Sequence, residues 1–587
     1  MIDFKNTLII LIAANFIVLS IYRDYSIFPY YSPNFLHGLS QDNDDFPSTN
    51  FTFPFLAFHI LSQLDVYEPI DKSFLREHTP DALKSFNHSS FGIQVDDNFC
   101  DAHRAQLIDE PESVFESQFI WTNYNLKGVL REKVIPEIGY DSHREALNSY
   151  RPRNRSAGRF LAPMDPRVTV FLTNPGLFAY FDLGKHFSCL SQFSNFVPGN
   201  EAIGRKDKIA EASVVYAEKY KTKPECFNFD KFFPKTWILS EKEQCEDFFK
   251  EFNSEEYQEL KNERRIVYIR KMGSGFHRAM GVEPVIDNEE KELREIYQNG
   301  TNCGKEDKNY IIQNYVHNPL LLNGHKFDFR IYLLLASTNP TIAYYHDGFL
   351  RLSLFLYDVE SNDKKVLLTN TDLSNEVFEE AANGTLFNGM NETEIRYFQM
   401  WNFTRLHVYL MEQGLVKDPN WLDNYLRPEF MKAMIHLIKM TEDSFLKSSV
   451  VYELFGLDFM LDDKLNLWFI ECNSAPALKG TSEEKEEFLK KMLIDHFEIV
   501  YMYMRSRMAR VIRYVNKLTV DKNTVWIPPK EVKIYNLEQR RKEFKEIIKN
   551  YLEDEYYIEP DNGFVKIVDG NLKEKERYMN LLDENCL

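Results

Sequence analysis

Asp458, Glu471 and Asn473 sit in two apolar stretches, LFGLDFML (454–461) and LWFIEC (467–472) with the residue after it, flanking a polar turn, Asp462-Asp463-Lys464-Leu465-Asn466. Alternate side chains of a strand share a face, so Glu471 and Asn473 point one way, opposite Trp468, Ile470 and Cys472. The polar turn between two apolar runs predicts an antiparallel hairpin. A register pairing Asp458 with Glu471 sets the two carboxylates side by side; a one-residue slip sends them to opposite faces. Adjacent carboxylates repel unless a cation or proton lies between them. Hard oxygen ligands suit Mg²⁺, which leaves part of its shell to phosphates and water. The alternative is a solvated hairpin with its acids in water, and apolar neighbours on both strands weigh against it.

A magnesium nucleotide also needs cations. Lys271 ends the strand-like run IVYIRK (266–271) just before a loop, Gly273 to Gly281, that contains His277 and Arg278. Glycines let backbone approach phosphate oxygens and a lysine supplies a point charge. The loop is not a GxxxxGK[ST] phosphate loop. In KFDFRIYLLLAS (326–337), Lys326, Asp328 and Arg330 share one strand face and Phe327, Phe329 and Ile331 the other. Burying three charges costs several kcal/mol unless they pair or bind ligand. Two readings stay open: Asp328 pairs with neighbouring cations, or Arg330 meets a γ-phosphate or substrate carboxylate through its planar fork.

These residues need a mixed scaffold to position them. Strand candidates are VTVFLT (168–173), KTWIL (235–239), YIIQNYV (310–316), TIAYYH (341–346) and FLRLSLFLY (349–357), with helical stretches at 422–447 and 483–503. The fold class is α/β (α+β). The regions are 1–25, an apolar segment; 26–165, loop-rich in Asn, Asp, Ser and Pro; 166–504, the catalytic region; and 505–587, a helical, locally basic tail. Within the tail, Arg505, Arg507, Arg510, Arg513 and Lys517 form a candidate basic surface, the alternative being an ordinary solvated helix face. At 587 residues the chain has room for two or three domains. A formal charge of -19 argues against a surface built to grip nucleic acid, and no such partner is expected.

Residues 7–22, TLIILIAANFIVLSIY, lie between the lengths of a signal-peptide core and a spanning helix, with no small-residue cleavage site after them. An uncleaved membrane anchor is expected in preference to a cleaved signal peptide, with the orientation open. Seven cysteines without CxxC pairs suggest neither a disulfide framework nor a zinc site, and reduced, buried thiols are expected. N-x-[ST] sequons occur at Asn50, Asn87, Asn154, Asn299, Asn383, Asn391 and Asn402, and matter only if the body lies in a lumen.

Hairpin, strand and loop together resemble the tubulin tyrosine ligase-like family, whose catalytic body is an ATP-grasp fold. The matching segments are NFVPGNEAIGRKDKI (195–209), FFPKTWIL (232–239), YIRKMGSGFHRAMGV (268–282), IIQNYVHNPLLLNGHKFDFRIYLL (311–334), LLTN (367–370) and ELFGLDFMLDDKLNLWFIECNSAPAL (453–478), in the family's order. The resemblance implies that Lys206 and Lys271 contact ATP phosphates, and that Gln313, with backbone near Tyr315 and Val316, holds adenine. Thr369 and Asn370 line the nucleotide site, and Asp458, Glu471 and Asn473 hold Mg²⁺. It also implies that Arg330 binds the γ-phosphate or phosphorylated acceptor and Arg351 helps place the acceptor chain. The chain departs from the family pattern at Met272, where proline is usual, and at Arg278-Ala279-Met280-Gly281, where the usual loop is richer in glycine.

The implied reaction is an ATP- and Mg²⁺-dependent ligation. An acceptor carboxylate becomes an acyl phosphate, and the amine of a free amino acid then displaces phosphate. The acceptor expected is a tubulin or microtubule C-terminal tail, which places the body in the cytoplasm or on the cytoskeleton. The rivals are a ligase for a non-tubulin acceptor and a catalytically weak nucleotide-binding scaffold.

Overall fold

The structure, a computed structural model, describes residues 51–64, most of 187–369 and most of 387–582, and isolated segments between 65 and 186; residues 274–280 and 370–386 are outside it. Two antiparallel sheets organise the described part. Helix α1 (Lys206–Lys219) precedes the smaller sheet, which is built from β1 (Thr236–Ile238), β2 (Tyr268–Met272), β3 (Glu283–Pro284) and β4 (Tyr310–Asn314) in the order β1-β4-β2-β3. Its outer face is covered by α2 (Lys242–Phe252) and α3 (Asp287–Tyr297). In α2, Cys245, Phe248, Phe249 and Phe252 recur at helical spacing and are all buried, so one stripe of the helix meets Trp237 and Tyr268 of the sheet.

The larger sheet has seven strands. Its main path runs β7 (Met400–Trp401), β6 (Thr341–Leu356), β5 (His325–Thr338), β8 (Glu453–Leu461), β9 (Leu467–Asn473). Leu321–Leu322 adds to β5, and β10 (Phe564–Asp569) adds to β6. Strand β5 is buried along its whole length, and its two faces serve two cores. Phe327, Phe329, Ile331, Leu333 and Leu335 pack into one core with Phe430, Met434 and Leu437 of helix α4 (Arg427–Thr441). Tyr332, Leu334 and Ala336 pack into the other, with Leu489, Met492, Phe497 and Tyr503 of the long helix α5 (Glu483–Val520). This period-two division is what alternating side-chain direction imposes on a central strand. It leaves the charged end of the second face, Lys326, Asp328 and Arg330, beyond the apolar packing and facing the smaller sheet.

Several sequence expectations need correction. Among the described residues no helix is long and apolar enough to cross a membrane, which overturns the expected membrane anchoring; the run 7–22 that prompted it lies outside the described residues. The cysteines are not reduced thiols. Cys100 pairs with Cys189 and Cys245 with Cys303, each with Cα atoms 5.7 Å apart, and Cys226 is also disulfide-bonded. The partners lie 89 and 58 residues apart, so no short spacing betrays them. Cys472 is a free, buried thiol. The basic stretch is divided: Arg507 and Arg510 are buried in α5, whereas Arg513 and Lys517 are exposed. Arg507 donates to the carbonyls of Leu190 and Ser449 and to Asn550, and Arg510 to the carbonyls of Ile547, Lys549 and Tyr551. Both arginines fasten the tail to the body. The tail itself is mixed, with strands Thr524–Ile527 and Glu531–Ile534 and β10 beside the helix Leu537–Ile547.

Candidate active site

Strand pairing sets the charged residues in a row. Arg351 on β6 lies opposite Asp328 on β5, Arg330 on β5 opposite Asp458 on β8, and Asp458 opposite Glu471 on β9. Of the two hairpin registers left open by the sequence, this is the one that puts both carboxylates on one face. The ladder shifts just past this pair, where Phe459 faces Phe469 and Ile470 is the extra residue. Such a bulge re-aims side chains next to it: Phe459 and Phe469 enter the apolar core while Asp458 and Glu471 stay in the row.

Each carboxylate is compensated. Arg330 forks onto Asp458 with Nε–Oδ1 at 2.5 Å and Nη2–Oδ2 at 3.1 Å. Arg351 bridges two acids, donating from Nε to Asp328 at 2.6 Å and from Nη2 to Asp458 at 2.9 Å. Thr369 donates to the other Asp328 oxygen at 2.6 Å. Lys206, first residue of α1, reaches Glu471 at 2.9 Å, and Asn473 donates to Glu471 at 3.3 Å. The pairing reading of Asp328 therefore holds, through Arg351, and the paired charges stand at a cavity wall.

That cavity, about 420 Å³, lies between the two sheets. From the smaller sheet come Lys271, Gln313, Tyr315 and Val316; from the larger come Lys326, Asp328, Arg330, Arg351, Asp458, Glu471 and Asn473; Lys206 and Thr369 complete the polar lining. Ile269, Val282, Leu368 and Met460 supply apolar wall. Lys271 donates to Gln313 at 2.6 Å, whose amide donates to Thr236 at 2.8 Å. Lys326 donates to the Tyr315 hydroxyl at 2.9 Å and the Leu367 carbonyl at 2.8 Å. Of the nucleotide-site residues expected from sequence, Asn370 and most of the altered loop fall outside the described residues. A larger cavity of about 1030 Å³ adjoins it, sharing Asn314, Tyr315 and Val316 and reaching the hairpin turn at Asp462 and Asp463, but Asp458 and Glu471 do not line it.

Burial and charge shape the titration of these groups. Burial is the largest influence on Glu471 and opposes its charge, but Lys206 and Lys271 outweigh it and bring the carboxyl down to about 2. Burial and the nearby Lys206 lower Lys271 to about 8, against the pull of Glu471. Burial likewise lowers Lys326 to about 8. Asp328 is raised by burial, with Asp458 adding to the effect and Arg351 opposing it. The site is thus a dense cation array around a small number of acids, with two of its lysines held below the usual lysine value.

Among the described residues no three His, Cys, Asp or Glu side chains cluster as a metal site. The donor set at hand is two carboxylates and an amide oxygen, all hard. Each carboxylate has lone pairs beyond those its cations occupy. This fits an ion that takes few protein ligands and fills its shell with phosphate and water, as Mg²⁺ does.

The sequence profile of the tubulin-tyrosine ligase family matches residues 186–509, more than half of the chain. The chain belongs to the tubulin-tyrosine ligase family. Among its curated relatives, protein polyglycylase TTLL10 of Macaca fascicularis is 28% identical over 284 residues, covering 46% of this chain and 42% of that protein. Inactive polyglycylase TTLL10 of Homo sapiens is 30% identical over 201 residues, covering 33% and 28%. Probable tubulin polyglutamylase ttll-9 of Caenorhabditis elegans is 32% identical over 195 residues, covering 33% and 42%. The chain thus spans less than half the length of each of these relatives.

In this tubulin-tyrosine ligase family chain two cavity cations had no assigned role from sequence. Lys326 shares a strand face with Asp328 and Arg330, and that spacing was the signal to follow. Lys485, in the first turn of α5, also lines the cavity. It lies beyond the hairpin in a charged helix start, and nothing local distinguishes it from its neighbours.

Proposed function

We propose that this chain is an ATP- and Mg²⁺-dependent carboxylate–amine ligase with an ATP-grasp body, which adds an amino acid to a carboxylate of an acidic polypeptide. The observation that carries this is the cavity itself: Lys206, Lys271, Lys326, Arg330 and Arg351 line it with three acids, Asp328, Asp458 and Glu471, between two sheets. These five cations outnumber the three acids and suit a polyanionic nucleotide and an anionic acceptor together.

Lys206 and Lys271 hold the ATP phosphates, and Gln313 with the backbone at Tyr315 and Val316 holds adenine. Thr369 lines the nucleotide side. Asp458, Glu471 and Asn473 hold Mg²⁺, which when bound supplies charge neutralisation at the phosphates. Arg330 turns its fork to the transferring phosphoryl group, and Arg351 places the acceptor. An acceptor carboxylate oxygen bonds to the γ-phosphorus as the bond to ADP breaks. The amino-acid nitrogen then bonds to the acyl carbon, phosphate leaves, and the nitrogen sheds a proton. No enzyme nucleophile takes part; positioning and charge do the work.

The names of the relatives support glycine or glutamate as the added amino acid and a tubulin tail as the acceptor. A second reading, a non-tubulin protein acceptor, is favoured by the disulfides, which cytosolic proteins seldom carry. The test is mass spectrometry of tubulin and of other acidic polypeptides after incubation with the full chain, MgATP and mixed amino acids. A mass increment that needs MgATP is expected. MgATP binding with no increment on any acceptor would leave a nucleotide-binding scaffold and overturn the ligase.

A further inference from the structure

Two observations outside the cavity agree with each other and play no part in catalysis. The first is the set of disulfides. Cys100–Cys189 ties the region before the catalytic body to the strand Phe187–Cys189, and Cys245–Cys303 ties α2 to the turn after α3 within the core of the smaller sheet. Cys226 is bridged as well. Among the described residues only Cys472, buried in β9, keeps its thiol. A chain that stays among reducing thiols does not hold its cysteines paired in this way.

The second is the placement of the sequons. Asn299, Asn391 and Asn402 are the ones within the described residues, and all three are exposed together with Thr301, Thr393 and Thr404. Asn299 lies in the turn following α3, where its Oδ1 accepts from Arg294. Asn391 and Asn402 each cap a helix, with Oδ1 accepting from the backbone of Glu394 and Arg405. Each oxygen is engaged while no hydrogen bond from the side-chain Nδ2 is found among the described residues. All three asparagines are thus exposed residues of a turn or helix cap whose structural hydrogen bonds use Oδ1 and not Nδ2.

We propose that this chain matures as a disulfide-bonded N-glycoprotein of an oxidising compartment, with Asn299, Asn391 and Asn402 as glycan acceptors. Each bridge forms as two thiols give up two electrons and two protons to the disulfide of a dithiol oxidoreductase. Each glycan arrives as Nδ2 bonds to C1 of a lipid-pyrophosphate-linked oligosaccharide, the C1–O bond to pyrophosphate breaks, and Nδ2 loses a proton. Taken with the ligase reading above, on which this one step rests, the acceptor is an acidic polypeptide that shares the compartment.

The full chain is purified from its own cells after thiols are trapped with a maleimide before lysis. It is digested without reduction and treated with a glycan-removing amidase in heavy-oxygen water. The expected result is cross-linked peptides joining Cys100 to Cys189 and Cys245 to Cys303, and heavy-oxygen aspartate at positions 299, 391 and 402. Maleimide on those four cysteines, with all three asparagines unmodified, would overturn the proposal. Bridged cysteines with unmodified asparagines would overturn the glycan acceptors. Neither readout depends on catalysis, so a failed ligase assay on a bridged, glycosylated chain refutes the ligase and leaves this inference standing.

Discussion

Glu471→Gln separates a metal ligand from a structural ion pair, because the two roles predict opposite changes in ATP affinity. Glu471 lies 2.9 Å from Lys206 and keeps 28% of its side chain open to the cavity. Its carboxyl sits at about 2 rather than 4.5 although burial opposes the charge; Lys206 and Lys271 outweigh that burial. At about 1.4 kcal/mol per pH unit the difference is roughly 3 kcal/mol, and screening through the open cavity reduces it to roughly 1–3 kcal/mol. Glutamine keeps the shape and removes the charge. The ligand-free variant should therefore lose about that much stability, seen as a lower urea midpoint at pH 7. Without Mg²⁺, ATP should bind the variant more tightly by a few-fold, since an anion beside the phosphate lysines is gone. With Mg²⁺ the order should reverse, and amino-acid incorporation should fall by about 100-fold or more, about 2.7 kcal/mol in the barrier. Calorimetric titration with ATP, in chelator and in magnesium, reads both signs. Equal weakening in both buffers, or unchanged incorporation, would refute the metal assignment.

Three further outcomes follow from the same packing. Lys271 and Lys326 sit at about 8, below the usual lysine value, so their charge is present at lower pH and lost as pH rises through that range; Mg²⁺-free ATP affinity should drop by about tenfold between about pH 7 and pH 9, and Lys326→Met should show a weaker, flatter profile. Gly348 has no room for a methyl group: a Cβ there would stand 1.5 Å from the Arg330 carbonyl oxygen, so Gly348→Ala should pry β6 from β5, cost about 3 kcal/mol or more in chemical denaturation and abolish incorporation with it. His436 and His496 are lowered by burial, to about 4 and about 3, so the unfolded chain takes up their protons first and stability should fall as pH drops below about 6.5. The His436 share is roughly 3 kcal/mol, and His496→Leu should flatten the acid limb of the urea midpoint because neither ring nitrogen has a hydrogen-bond partner among the described residues.

What could be read from the chain in advance was whatever a local period decides. Alternation along β5 separates Lys326, Asp328 and Arg330 from Phe327, Phe329 and Ile331, and the structure sends the two sets to different sides. The hairpin was legible up to its register; the choice between registers comes from Phe459 and Phe469, which must both reach the core and do so by leaving Ile470 as the extra residue. What could not be read were closures over distance. Cys245 and Cys303 meet only because α2 and α3 pack on the same sheet, and no spacing rule anticipates a partner 58 residues away. Two arginines of α5, Arg507 and Arg510, differ from the solvated-face reading for a related reason, while Arg513 and Lys517 are exposed. A basic stretch suggests a wet surface, but Arg507 meets carbonyl oxygens left over by the turns at Leu190 and Ser449, and its charge is satisfied by backbone that is remote in sequence. Sign and spacing of charge therefore mark where a site can be, while its depth is set by what the rest of the chain brings across. At the candidate site both agree: the acids stand on neighbouring strands of one sheet, and Lys206 and Lys271, which hold Glu471 ionised, arrive from a helix start and from the other sheet. Any change in how those two sheets approach each other must alter the charge balance at Glu471, and this links closure of the cavity to the protonation of the residues that line it.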